Sequence, residues 1–168
     1  MSDDNFLFPL HVFRFHIDFK EDSLKSSGGG TESLPLCSGA FSECSGLEAT
    51  MEPKVIKEGG RNYGAVQRAG PVTFATVILK RGMTTNRHLW KWFELVNNNG
   101  AYAYRLAAFI NMYDSTGEAV LAWKLEKAMP IKFKAADFNA KGSEVGVEEL
   151  HLAHEGISLV SPTRPTLS

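Results

Sequence analysis

The chain has no surplus of charge and little cysteine. Its 168 residues carry 18 Lys and Arg against 19 Asp and Glu, a formal net charge of −1 at pH 7. No overall field therefore attracts it to nucleic acid or to an anionic membrane. A disulfide between its two cysteines, Cys37 and Cys44, is geometrically possible, but nothing else indicates an oxidising compartment. We expect two reduced thiols in a protein made in the cytoplasm.

Long apolar runs and a basic leader are also missing. No run reaches the roughly 18 apolar residues that a membrane-spanning helix needs. The N-terminal sequence MSDDNFLFPLHVF is acidic where a signal peptide would be basic, so we expect neither membrane insertion nor export by that route. Hydrophobic residues make up 43% of the chain and charged residues 22%, values typical of a globular protein. The length suits a single domain, 1–168.

Period-two alternation predicts a mainly β chain. Residues 10–19 alternate apolar and polar side chains, as a half-buried strand does. A second candidate strand covers 47–58. A third covers 72–82, where both faces are apolar, so we expect it to be buried on both sides. Turn residues at 114–117 predict a hairpin between two further apolar segments.

The remaining segments supply loops, a break and a bulge. The Ser/Gly-rich stretch at about 20–36 and the polar tail at about 161–168 lack the apolar content to pack, and the stretch at 20–36 is predicted to be flexible. Pro130 is predicted to end a strand. In the last strand the apolar parity changes after Val147, so an extra residue at Glu148–Glu149 is predicted to form a β-bulge.

One helix is predicted, at about 85–98. Its apolar stripe has helical spacing and is formed by Leu89, Trp92, Phe93 and Val96. Thr84 or Thr85 is predicted to cap its start and Gly100 its end. Trp90 lies off the stripe, so a neighbouring subunit or the chain's own loops should cover that side. The fold class is therefore mainly β: an antiparallel β-sandwich or barrel of about seven strands with one helix packed against it.

Motifs for catalysis, cofactors and metals are incomplete. His151 and His154 are three residues apart, a spacing that places them on opposite faces of a strand. The run at 28–33 lacks the Lys-Ser/Thr of a phosphate-binding loop, and no Gly-x-Ser-x-Gly is present. The acidic pairs Glu43/Glu48 and Glu148/Glu149 have no evident apolar pocket that would shift their pKa values. We therefore predict no enzyme, no cofactor and no metal site.

Several segments together resemble the inner (tail) tube proteins of contractile phage tails and extracellular contractile injection systems. They span about residues 10–160 and occur in the family's order. They are Ser-Gly-Leu at 45–47, Glu-Gly-Gly at 58–60, Leu-Lys-Arg-Gly at 79–82 before a Trp-containing helix, the hairpin turn at 114–117, Ala-Met-Pro at 128–130 and Leu-Ala-His-Glu-Gly at 152–156. The type VI secretion tube protein is a more distant relative in fold.

The resemblance implies hexameric rings, joined edge to edge into a barrel and stacked into a hollow tube. Implied partners are other copies of the chain, a sheath protein, a baseplate or tube-initiator protein, and cargo protein or phage DNA in the lumen. The Ser/Gly-rich loop at about 20–36 departs from the family, which commonly has a tight turn there. This departure puts the contacts of the outer or stacking surface in question.

Two sets of polar residues are candidates for tube surfaces. Glu48, Thr50 and Glu52 share one strand parity and would suit a lumen wall, although an ordinary solvated face gives the same pattern. The second set has mixed charge suited to contacts between rings, or to a solvated loop, and comprises Lys57, Glu58, Arg61 and Arg68.

Alternative functions remain open at the level of sequence. A monomeric small-ligand-binding β-barrel would need a closed interior with a few convergent polar groups. A hydrolase or transferase is disfavoured by the motif search. Within the tube interpretation, the chain could be the main tube subunit or a tube-initiator subunit at the baseplate, in a phage tail or in a cell-derived injection particle.

Overall fold

A computed structural model describes residues 14–21, 41–98 and 105–162. The predicted loop at 20–36 lies outside this part apart from its first two positions, which belong to a strand, and so does most of the predicted tail. The strands are β1 (Phe15–Glu21), β2 (Glu43–Ser45), β3 (Ala49–Met51), β4 (Lys54–Ile56), β5 (Val66–Arg68), β6 (Val72–Phe74), β7 (Val77–Gly82), β8 (Leu106–Tyr113), β9 (Ala119–Lys134), β10 (Val147–Ala153) and β11 (Gly156–Val160), and the helix is α1 (His88–Asn98).

The long strand β9 joins two antiparallel sheet halves. Its first part pairs with β8 and β11, and β8 also pairs with β1. Its last part pairs with β10, which pairs with β7, which in turn pairs with β2. This main sheet has seven strands, and two separate pairs add four short ones, so the described residues contain eleven strands where about seven were predicted. The predicted mainly β, antiparallel class is confirmed, and the architecture is a β-sandwich. Within the described ranges the strands do not close into a barrel.

Apolar side chains from both halves form one core. Its largest fully buried apolar members are Ile17, Phe19, Val77, Leu79, Leu89, Trp92, Leu106, Leu125, Leu150 and Leu152. The edge of one ring meets the face of the other where Phe19 contacts Trp92, with centroids 5.2 Å apart. Of the predicted helix stripe, Leu89, Trp92 and Val96 are buried and Phe93 is half-buried. No helix in the described residues is long and apolar enough to cross a membrane.

The helix begins at His88, later than its predicted caps. The backbone N–H of His88 donates to Asn86 Oδ1 at 2.9 Å, so an Asn side chain satisfies a free donor of the first turn. Thr84 Oγ1 instead accepts from the N–H of Asn86 at 3.2 Å, one turn earlier. The prediction that Thr84 or Thr85 caps the helix was therefore wrong. Gly100, the predicted end cap, lies outside the described residues.

Both predicted long strands are interrupted. The segment 47–58 divides into β3 and β4 at Pro53, which has no N–H to donate to a ladder. The segment 72–82 divides into β6 and β7, which pair with different partners. Burial on both faces was also wrong, because Val72 is 50% exposed and β7 alternates buried and half-buried positions.

Two further details of the strands were predicted wrongly. Pro130 does not end β9, which continues to Lys134; it lies opposite Leu152, beside a register shift between His151 and Leu152. No shift is found at Glu148–Glu149, because Val147 points outward and is 43% exposed. The parity argument failed because it assumed that every valine of this strand faces the core.

Candidate functional site

A two-stranded arm extends from the sandwich between β2 and β7. We define the arm as residues 46–76. Its strand pairs, β3 with β6 and β4 with β5, bond only to each other, and most side chains along it are exposed. Such a ribbon buries little apolar surface and leaves backbone edges open, which isolated soluble proteins normally avoid. The arm is therefore a candidate for contact with another molecule.

Two glycines allow the backbone of the arm to approach neighbouring backbone closely. Gly46 has a φ of +86°, and a Cβ there would lie 2.1 Å from the carbonyl oxygen of Thr76. At Gly70 a Cβ would lie 1.8 Å from the carbonyl oxygen of Glu52, beside the hydrogen bond in which the Glu52 N–H donates to the Pro71 oxygen at 3.2 Å. The two sides of the ribbon approach closely at these points, so its geometry depends on residues without a side chain.

Apolar side chains are exposed along the arm. They are Met51, Val55, Val72 and Tyr63, and Tyr63, near the tip, is 98% exposed. Scattered exposed apolar residues are ordinary, but four on one thin ribbon give it a surface that would gain free energy on being covered.

Both predicted sets of surface residues lie on this arm. Glu48 and Thr50 are on one side of it, since Thr50 Oγ1 donates to Glu48 Oε1 at 3.3 Å, and Glu52 follows β3. Lys57, Glu58 and Arg61 lie in the tip between β4 and β5, and Arg68 is in β5 opposite Lys54. All seven are exposed. The structure thus brings the two sets onto one projecting element.

An apolar cleft lies at the opposite end of the same strands. The cleft, which we call the helix cleft, has a volume of about 770 Å³ and is lined by Met83, Thr84, Thr85, Asn86, Arg87, Trp90, Phe133, Ala135 and Glu148. Trp90 is 45% exposed, and its ring contacts that of Phe133 edge to face at 5.5 Å. The sequence indicated this surface only through the position of Trp90 off the apolar stripe.

Strand directions place the arm and the helix cleft far apart. The arm enters β7 at Val77, where Leu152 is the cross-strand partner and His154 contacts Phe74 with ring centroids at 5.4 Å. The helix cleft begins just after Gly82, at the other end of β7. The molecule therefore has different surfaces at its two ends.

The outer face of the β2-β7-β10-β9 half is polar, in contrast to its core face. Glu43, Lys80, Glu149 and Lys134 lie opposite one another on successive strands. Lys80 Nζ donates to both carboxylate oxygens of Glu43 at 3.1 Å. A hydrogen bond from His151 lowers the pKa of Glu149 most, and the nearby Lys134 and Lys80 lower it further.

Cys44 is the one cysteine among the described residues, and it is partly buried. Burial raises the pKa of Cys44 to about 11, so this thiol stays protonated and is a poor nucleophile. It lines a small gap of about 300 Å³ between the sheet halves. Cys37, and with it any pairing of Cys37 with Cys44, lies outside the described residues. The described residues contain no group of three side chains able to hold a metal ion.

Solved structures share this fold at low sequence identity. A chain of the anti-feeding prophage baseplate is 22% identical, with a TM-score of 0.75 over 92% of this chain and 97% of that one. A chain of the sheath–tube complex of an extracellular contractile injection system (PVC) is 18% identical, with a TM-score of 0.73 over 96% and 99%. A type six secretion system protein is 10% identical, with a TM-score of 0.53 over 87% and 83%. No curated protein is significantly similar to the chain.

One family model matches most of the sequence. It describes the T4-like virus tail tube protein gp19 and matches residues 11–158, which include the arm, the helix and both sheet halves. Family members are structural tail tube proteins, not enzymes. The chain belongs to the T4-like virus tail tube protein gp19 family.

Proposed function

We propose that the chain forms hexameric rings that stack into the hollow inner tube of a phage tail or contractile injection particle. Membership of a tail tube family gives it a structural role in a tube. The main support for rings and stacking is the exposed arm, which projects from a sandwich that has open strand edges. An element with so little buried surface of its own is explained by contacts made in an assembly.

Open edges favour ring formation. Among the described residues, β2 pairs only with β7, and from Met129 to Lys134 the strand β9 pairs only with β10. An unpaired edge exposes backbone donors and acceptors that a neighbouring copy can satisfy. Joining unlike edges of successive copies is a head-to-tail contact, which closes into a ring when the rotation allows it.

The two ends of the sandwich have different surfaces, and this favours stacking of one ring on the next. The arm projects at one end of the sandwich and the helix cleft opens at the other. An arm from one ring that contacts the helix cleft of the next would cover apolar surface on both, including Tyr63 and Trp90. A head-to-tail contact of this kind repeats without closing and produces a filament.

The proposed partners follow from this position in a tube. A sheath protein would surround the tube, and a baseplate or tube-initiator protein would begin it. Cargo protein or phage DNA would pass through the lumen, past walls that are mainly polar. Glu48, Thr50 and Glu52 remain proposed lumen residues, and Lys57, Glu58, Arg61 and Arg68 remain proposed stacking residues, both sets now on the arm.

Negative-stain electron microscopy with light scattering tests the proposal. Six-fold rings or hollow filaments are expected for the purified chain. Replacing Val55 and Tyr63 by Ser should shorten or abolish filaments while rings persist, because only the contact between rings is weakened. The matched control, Gln67→Ser, changes an exposed polar residue of the same arm and should still give filaments. A protein that stays monomeric even when a baseplate nucleus is supplied would contradict the tube and favour the ligand-binding alternative.

A further inference from the structure

A row of alternating charge crosses four neighbouring strands. Glu43 on β2 lies opposite Lys80 on β7, Lys80 lies opposite Glu149 on β10, and Glu149 lies opposite Lys134 on β9. The signs are therefore negative, positive, negative and positive. We call this set the charge row.

All four side chains share the outer face of the sheet. Residues directly opposite each other in antiparallel strands point to the same face, and neighbours along a strand point to the other. Two adjacent rows face the core. One is apolar and consists of Cys44, Leu79, Leu150 and Phe133, and the other contains the buried ion pair of Arg81 and Glu148. The charge row differs from both because its charged side chains lie on the outer face.

The charge row has opposite signs at its two ends. Glu43 is on β2, an edge strand among the described residues, and Lys134 is at the end of β9, which pairs there with β10 alone. Both side chains are about half exposed, at 52% and 51%. Outside the row, Lys134 pairs with Asp137 at 3.9 Å, a long contact whose Asp side chain is 95% exposed. The two edges are thus electrostatically complementary.

Strand direction alternates in the same way as charge. Each of the four strands is antiparallel to its neighbour, so β2 and β9 run in opposite directions. A second copy placed beside the first, with its β2 next to β9, would make an antiparallel pair and continue both alternations. Both alternations continue from one copy to the next only if each copy contributes an even number of strands, and each contributes four.

We propose that, in the ring of the proposed function, Lys134 lies directly opposite Glu43 of the next copy. The charge row then continues without interruption around the ring and fixes the register between subunits. A slip of two residues would place Lys134 opposite Ser45 and lose the pair at every interface. A slip of one residue would turn the charged face of one strand toward the core of its neighbour.

Cysteine pairs test this register directly. The parent variant is Cys37→Ser with Cys44→Ala, and it must first form rings by electron microscopy. In it, Glu43→Cys combined with Lys134→Cys should give a disulfide-linked ladder ending in a covalent ring. Ser45→Cys with Lys132→Cys, the next pair on the same face, should do the same. The offset pair, Glu43→Cys with Lys132→Cys, should react at least about five-fold more slowly, because diagonal partners lie about 7–8 Å apart.

Each outcome separates the inference from the function that it rests on. If the parent forms no ring under any condition, the proposed function fails. If the parent forms rings but neither in-register pair cross-links, the register is wrong and the tube stands. Equal cross-linking rates for the offset pair and the in-register pairs would also overturn the proposed register. If circular dichroism shows that one of the in-register double-cysteine variants does not fold, the other variant tests the register. Single-cysteine variants, which cannot form ladders, are the controls.

Discussion

Arg81 and Glu148 lie directly opposite each other on β7 and β10 and form an ion pair inside the sandwich. Their side chains are only 8% and 7% exposed. Arg81 Nε donates to Glu148 Oε1, and Arg81 Nη2 donates to the Asn86 carbonyl oxygen at 3.3 Å. The guanidinium also lies 5.9 Å from the Phe41 ring centre. One buried cation thus connects the sheet to the segment that leads into α1.

Breaking this pair should be costly. Glu148→Ala leaves the Arg81 guanidinium buried without its carboxylate, and we expect a loss of about 3–5 kcal/mol in the free energy of unfolding. The measurement is urea denaturation of the dilute subunit. Glu144→Ala, at an exposed position four residues earlier, is the matched control and should change stability little. Arg81→Met with Glu148→Leu should recover most of the loss, since no buried charge remains; a double variant as unstable as Glu148→Ala would contradict this reasoning.

The two tryptophans of α1 should separate stability from assembly. Trp92 is fully buried against Phe19, so Trp92→Ala should cost about 3–5 kcal/mol. Trp90 contacts the rings of Phe93 and Phe133 but is 45% exposed, so Trp90→Ala should cost only about 1 kcal/mol. Thermal unfolding measures the loss of stability in both variants. Filament length should nevertheless fall for Trp90→Ala if the helix cleft receives the arm, and unchanged filaments would contradict that role.

The arm should tolerate an added methyl group at Gly59 but not at Gly70. A Cβ at Gly70 would overlap the Glu52 carbonyl oxygen, so Gly70→Ala must displace one side of the ribbon. The sandwich core does not involve Gly70, and the melting temperature of the subunit should stay unchanged. The concentration needed for assembly should rise about tenfold or more, equal to about 1.4 kcal/mol. Gly59→Ala, at the tip with nothing within 4 Å, is the control, and an equal effect there would contradict the steric argument.

Local chemistry could be predicted from the sequence where it is determined by neighbouring residues. The hairpin turn is one case, because Asp114 Oδ1 accepts from the N–H groups of Thr116 and Glu118 at 2.9 and 3.0 Å, all within five residues. Helix α1 is another, since its spacing is local. The charge row could not be found in this way. Its members are brought together by strand pairing across long separations, and period-two alternation does not reveal which strands are neighbours.

The arm shows the same limit of sequence patterns. Alternation over 47–58 predicted a strand correctly in type, but a ribbon bonded to itself and a strand of a main sheet have the same period. Only the pairing of β3 with β6 and β4 with β5 distinguishes them. The sequence makes Glu48, Thr50 and Glu52 candidates for a lumen wall from their parity and the family resemblance, with a solvated face as the alternative. The structure places them on the projecting arm, where that role is still a proposal.

Stability should depend on pH through His16 and Asp18. His16 Nδ1 lies 3.2 Å from Asp18 Oδ1, and this contact raises the pKa of His16 from its ordinary 6.5 and lowers the pKa of Asp18 from its ordinary 3.8. The His16 contribution is complete below pH 6.5 and is lost as pH rises through its folded pKa. The Asp18 contribution is present above pH 3.8 and is lost as pH falls through its folded pKa.

The pair should therefore stabilise most between about pH 4 and 6.5. His16→Gln should lower the melting temperature there by about 1–3 °C, as expected for an exposed pair of about 0.2–1 kcal/mol in a domain of this size. Thermal scans across the range from acid to alkaline pH provide the measurement. Asp18→Asn is the control and should have the same pH window, although it also loses the hydrogen bond from Asn111. Different windows for the two variants would show that they do not act as a pair.

Inverting the whole charge row should create a second, separate assembly. In the variant Glu43→Lys, Lys80→Glu, Glu149→Lys and Lys134→Glu, every internal cross-strand pair keeps opposite signs, and so does the proposed contact between copies. The variant should form rings alone. At a mixed boundary, however, Lys134 of a wild-type copy would face the lysine introduced at position 43 of an inverted copy, or two glutamates would face each other. Like charges directly opposite are destabilising.

Mixing two differently labelled populations measures this exclusion. Rings assembled from an equal mixture should contain mostly one type of subunit, as read by energy transfer between dyes or by native mass spectrometry. Raising the salt to about 1 M should weaken the sorting, since the Debye length falls to about 3 Å. A control pair of labelled wild-type populations should mix at random. Random mixing of wild-type and inverted subunits at low salt would mean that the charge row does not reach across the boundary, even if each population forms rings by itself.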